Sequence, residues 1–167
     1  MTIQSRTRTR SLAVATALAG GLCVAAAQPP APTVFSAAQA EAGRAAYENT
    51  CVKCHTVTLR GRTGDPSEMP PVSSLPADMQ KMIQDRLGKV PPLAGPYFMA
   101  RWGTRTTEDL SKRIQEAIGG FPPAGTNDTT ALKITAYVLQ VNGARPGTQE
   151  LTATTAVPVD LVTRVRQ

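Results

Sequence analysis

The chain reads as an all-α domain with long loops, and three observations predict it. Apolar residues recur at helical spacing in four segments, each bounded by its own start and stop residues. The stretches between them are rich in Gly and Pro, which interrupt regular structure. No apolar/polar alternation of strand period runs far enough to build a sheet, and there is no internal repeat, Gly-rich phosphate loop or nucleophile elbow.

Residues 1–27 have the layout of an export signal. Arg6, Arg8 and Arg10 form a positive n-region, residues 12–24 are apolar, and Ala25, Ala26 and Ala27 offer small residues for cleavage before Gln28. The apolar stretch is shorter than the about 20 residues a membrane span needs, and Gly20, Gly21 and Leu22 before Cys23 fit a lipoprotein signal badly. An uncleaved N-terminal anchor is the alternative. Taking these 27 residues from 167 leaves 140, the size of one domain. The same cleavage removes three arginines and no acid, so the net charge falls from +6 to +3 and the basic balance is no signal for nucleic acid. With three Phe, three Tyr and one Trp, a core built from protein alone is modest.

Residues 28–35, with Pro29, Pro30 and Pro32, read as an extended leader. Ser36 is placed to cap a helix over 37–49, with Gln39 completing a capping box; Gly43 and Tyr47 share a face four residues apart, as a close helix crossing requires. Residues 56–90 are irregular, broken by Gly61, Gly64, Pro66, Pro70, Pro71 and Pro76, except for a short amphipathic helix over 77–87 with Met79, Met82, Ile83 and Leu87 on one side. Its methionines read as core filler.

A rigid turn over 91–96 leads into the apolar run Tyr97, Phe98, Met99 and Trp102. Thr106 or Thr107 caps the next helix, Glu108 and Asp109 suit the positive end of its dipole, and Leu110, Ile114, Ala117 and Ile118 form its buried face up to Gly119 and Gly120. After a loop over 121–125, Thr126, Asn127 or Asp128 starts a last, well-buried helix that runs to Val141 and stops at Asn142 and Gly143. The domain closes near residue 145. The tail, 146–167, is rich in Thr, Ala, Val and Pro and is expected to be extended and loosely packed.

One pentapeptide carries chemistry: Cys51, Val52, Lys53, Cys54, His55. Two thiols three positions apart on one helical turn can bond covalently to the two vinyl groups along one edge of a haem, and the histidine that follows can ligate its iron. Zinc is the poorer reading, because Cys23 falls in the signal and only three clustered ligands remain where a structural site takes four. A redox-active CxxC would need a strand running into a helix, which does not flank this site, and a disulfide between Cys51 and Cys54 would close too small a loop to stabilise much.

From residue 36 to 145 the order of parts resembles that of a bacterial class I cytochrome c, of the monohaem type often associated with quinoprotein dehydrogenases. The parts are a Gly/aromatic helix, CxxCH, a Pro-Leu-x-Gly-Pro turn at 92–96, an aromatic segment, and a last helix bearing Ala-Tyr-Val-Leu-Gln. The resemblance implies three main helices and a short inserted helix around one covalent haem c. It makes Cys51 and Cys54 the thioethers and His55 the proximal ligand. Pro92 would accept the other imidazole proton through its carbonyl, an ordinary turn proline being the plain alternative. Leu93 would lie against the haem edge, Trp102 would offer its indole N–H to a propionate, and Gly43, Tyr47 and Tyr137 would join the first and last helices.

The departure is at the sixth ligand. The family carries a methionine in a Met-Pro-Pro loop before the last helix, and this chain has Phe121, Pro122 and Pro123 there. His55 is the sole histidine. Met99, Met69, a lysine, a tyrosine, or an open or water-filled position remain as alternatives. The resemblance therefore implies a periplasmic carrier of single electrons, or the haem subunit of a redox complex, between a dehydrogenase and an oxidase or another cytochrome, and not an enzyme. Lys53 and Lys89 are candidates to assist docking, an ordinary solvated face being the plain alternative. The alternative is a haem protein that binds or senses CO or NO at an open site; a weak peroxidase ranks last, for want of a distal histidine.

Overall fold

The computed structural model describes residues 29–119 and 128–164. Among these the chain is mostly helical: α1 (Ala37–Thr50), α2 (Val52–His55), α3 (Ala77–Asp85), α4 (Pro96–Trp102), α5 (Thr107–Gly119), α6 (Asp128–Val141) and α7 (Val159–Val162). The only ladder among the described residues is a short antiparallel pair of β1 (Arg62–Thr63) with β2 (Lys89–Val90), Arg62 opposite Val90. Residues 64–88 form an excursion closed at its base by that ladder and carrying α3. The proposed signal at 1–27, with Cys23, and the loop holding Phe121, Pro122 and Pro123 lie outside the described residues.

α1 and α6 cross at Gly43. A Cβ there would stand 1.8 Å from the Lys133 carbonyl oxygen and 3.0 Å from Tyr137 Cβ, so the helices meet at a distance only glycine permits. One turn on, the Tyr47 and Tyr137 rings lie 5.5 Å apart at 55°, an edge-inclined contact. The expected trio thus meets. Gly43→Ala should force the helices apart and lower stability by about 2–3 kcal/mol, read by urea unfolding, because backbone cannot yield as a side chain can. A cost below about 0.5 kcal/mol would mean the crossing adjusts freely.

The helix starts follow local chemistry. The Ser36 hydroxyl accepts from Gln39 N at 3.0 Å, the forward half of the expected capping box. Gln39 does not reach back. Its amide instead donates to the Leu151 carbonyl at 2.9 Å and accepts from Leu151 N at 2.8 Å, a strand-like pairing with the tail. At α5 the cap is Thr106, whose hydroxyl and Asp109 bond reciprocally. α3 ends two residues earlier than its apolar spacing suggests. Leu87 adopts a left-handed φ of 55° and is 81% exposed, so it leaves the buried face that Ile83 occupies.

Both flanks contribute to the core, and for the tail this overturns the expected loose packing. Val34 and Phe35 of the leader are buried, as are Leu151, Val159 and Val162 of the tail. The tail is tied at three points: Gly147 N donates to Phe35 O at 2.7 Å, Thr107 N to Val157 O at 2.9 Å, and Val159 N to Arg105 O at 2.9 Å. A segment without helical or strand period is ordered by partners far away in the chain, which no local window reveals.

Candidate functional site

The pentapeptide forms the short helix α2, directly after α1. Cys54 N and His55 N both donate to Cys51 O, at 3.1 and 2.8 Å, so the two thiols sit three residues apart on a single turn. Both cysteines are free and partly exposed. Burial pushes the Cys51 thiol up to about 12, with the neighbouring Cys54 adding to it. Burial also raises Cys54, against the opposing charges of Arg62, Arg86 and Lys53. A thiol–disulfide exchange site works by a depressed thiol pKa, and here both move the other way.

His55 is fixed through one nitrogen. Its Nδ1 lies 2.9 Å from the Pro91 carbonyl, the only role open to that nitrogen beside a carbonyl being donation. The Nε2 lone pair is then free for a metal. Desolvation lowers the His55 pKa, the Pro91 hydrogen bond opposes this, and the Arg86 charge reinforces the lowering, a direction that favours the uncharged ring able to bind a metal.

The acceptor is Pro91, not Pro92. The turn is registered by Leu93, whose N–H donates to Leu59 O at 2.7 Å and whose carbonyl accepts from Asn142 Nδ2 at 2.9 Å. Asn142 Oδ1 also takes Gly95 N at 3.0 Å, tying the turn to the end of α6. With residue 93 so anchored, the carbonyl two positions earlier meets the imidazole. Sequence alone gives two adjacent prolines no distinction.

The exit from the site is backbone held in a rare conformation. Thr56 has φ 64° and Leu59 φ 58°, left-handed values that residues other than glycine rarely adopt, least of all a β-branched one such as Thr56. The buried Tyr47 hydroxyl donates to Thr56 O at 2.7 Å, and the Thr56 hydroxyl donates to His55 O at 2.6 Å. Tyr47→Phe should therefore lower stability by about 1–3 kcal/mol by leaving the Thr56 carbonyl unpaired. Equal melting temperatures for the two proteins would show that another donor satisfies it.

Leu93 is half-buried and packs on the core together with Cys51, Val52, Ala94 and Met99. Met99 Sδ accepts from the Thr163 hydroxyl at 3.7 Å, while Met69 is largely exposed. Trp102 is buried, near-parallel to Phe98 at 6.5 Å, with the Arg105 guanidinium 5.2 Å above its ring. Sequence reasoning missed Pro91, Asn142 and the buried Arg62, which donates to Lys53 O at 2.9 Å inside the pentapeptide. Only Asn142, next to Gly143 at a helix end, sits in a pattern that marks it for a polar role.

No family model, no curated protein and no solved structure matches this chain. Among the described residues no helix is long and apolar enough to cross a membrane.

Proposed function

We propose that this chain is a periplasmic monohaem c-type cytochrome of the class I fold, passing single electrons from a dehydrogenase toward an oxidase or another cytochrome. The observation that carries the reading is the His55–Pro91 hydrogen bond beside two free thiols on one turn. It leaves Nε2 of a neutral imidazole next to two thiols at the spacing of the haem vinyls, and the donor set fits haem c. The Gly43 crossing with the Tyr47–Tyr137 contact favours the class I arrangement.

In this reading Cys51 and Cys54 hold the porphyrin and His55 the iron. The Pro91 carbonyl orients the imidazole and raises its basicity, while Tyr47 and Thr56 brace the backbone behind it. Leu93 and its apolar neighbours keep water from the edge. Bound there, haem supplies an iron that exchanges one electron between two oxidation states. Partners dock weakly and briefly, as redox encounters do.

The test is expression with a cytochrome c maturation system. The haem should stay on the denatured chain and the reduced protein should pass electrons to a soluble carrier. A chain that takes up no covalent haem overturns the proposal. Prompt CO binding by the reduced protein, without electron exchange, would replace the carrier by a ligand-binding haem protein, the reading motivated by Phe121.

A further inference from the structure

Arg62 carries a charge that the site described so far does not use. It opens β1, and its side chain is 1% exposed. Nη2 donates to Lys53 O at 2.9 Å and to Pro70 O at 2.6 Å, which staples the pentapeptide to the excursion over 64–88. Glu68 stands across from it, but the closest approach, Nη1 to Oε2, is 3.7 Å. The other carboxylate oxygen of Glu68 takes the Thr63 N–H at 2.5 Å and the Thr63 hydroxyl at 2.8 Å. Nε of Arg62 is buried with no partner among the described residues. The guanidinium is therefore enclosed and only partly neutralised.

Such a charge acts at a distance that exposed ones cannot, because little water screens it. Arg62 bears on the pentapeptide directly, because the carbonyl it holds belongs to Lys53, one residue before Cys54 and two before His55. Lys53 itself is partly exposed, so its charge is better screened than that of Arg62. Resting on the haem reading above, we infer that Arg62 is a positioning and tuning residue: it fixes the Lys53 carbonyl, and its buried positive charge favours the reduced state of the centre, with Glu68 as a partial counterweight.

The sign follows from charge alone. Losing an electron adds positive charge at the iron, and a fixed cation nearby opposes that, so the midpoint potential is raised. Arg62→Gln should shift the potential downward, and Glu68→Gln, which keeps an acceptor for Thr63, should shift it upward. Arg62→Lys should restore most of the Arg62→Gln shift. The measurement is a redox titration followed optically, on the wild type and the three variants, with covalent haem quantified on the denatured chains. A purely structural role would loosen the site in every variant and move the potentials the same way. Opposite shifts support the inference; shifts of one sign, or none, in haem-loaded proteins overturn it and leave the cytochrome reading standing. If Arg62→Gln does not fold, the sign of the Glu68→Gln shift decides alone. A wild-type chain without covalent haem overturns both.

Discussion

Replacing both Cys51 and Cys54 by alanine is expected to abolish haem retention on the denatured chain, while each single replacement leaves one thioether. The expectation rests on geometry as well as on the motif. The thiols are on one turn and unpaired by a disulfide, so no other covalent bond occupies them. His55 remains tied to the Pro91 carbonyl in the double variant, because that bond uses neither cysteine. Any haem the variant captures would therefore be held by the axial bond and apolar contact alone, and should leave on denaturation. The measurement is in-gel haem peroxidase staining beside an optical spectrum of the native protein. Full staining of the double variant would remove Cys51 and Cys54 from haem attachment.

The geometry of this site was legible because it is local. Five consecutive residues set the thiol spacing and place an imidazole beside it, and one helical turn realises the arrangement. The helix crossing was legible too, since Gly43 and Tyr47 at a four-residue interval mark a face where backbones approach. What could not be read depends on register or on distant partners. Pro91 and Pro92 differ only in which carbonyl the turn presents, and that is decided by Leu59 and Asn142. Gln39 fits a capping box by its spacing, yet its side chain pairs with Leu151, 112 residues away. Arg62 looks like a surface residue because arginine usually is one, and only the fold encloses it.

Leu151→Ala should lower stability by about 2–4 kcal/mol, as for a leucine in the middle of a domain, although it lies in a tail whose composition suggests a loose end. Leu151 is buried, and its backbone is paired on both sides with the Gln39 amide, so the side chain cannot swing out to relieve the cavity. Farther along, Val159 and Val162 are buried as well, and α7 is fastened by Val159 N to Arg105 O and Asp160 N to Gly103 O, both 2.9 Å. Combining Leu151→Ala with Val159→Ala should cost roughly 3–6 kcal/mol, since these residues are pinned to different elements and their losses add. That is a large share of the about 5–15 kcal/mol that separates a folded domain from its unfolded chain. Urea unfolding of both variants measures it. Midpoints within error of the wild type would mean the tail detaches at no cost. Large losses would make it part of the domain, holding α1 at one end and the α4–α5 corner at the other. The tail would then support, from behind, the same helix that delivers Tyr47 to the backbone of the site.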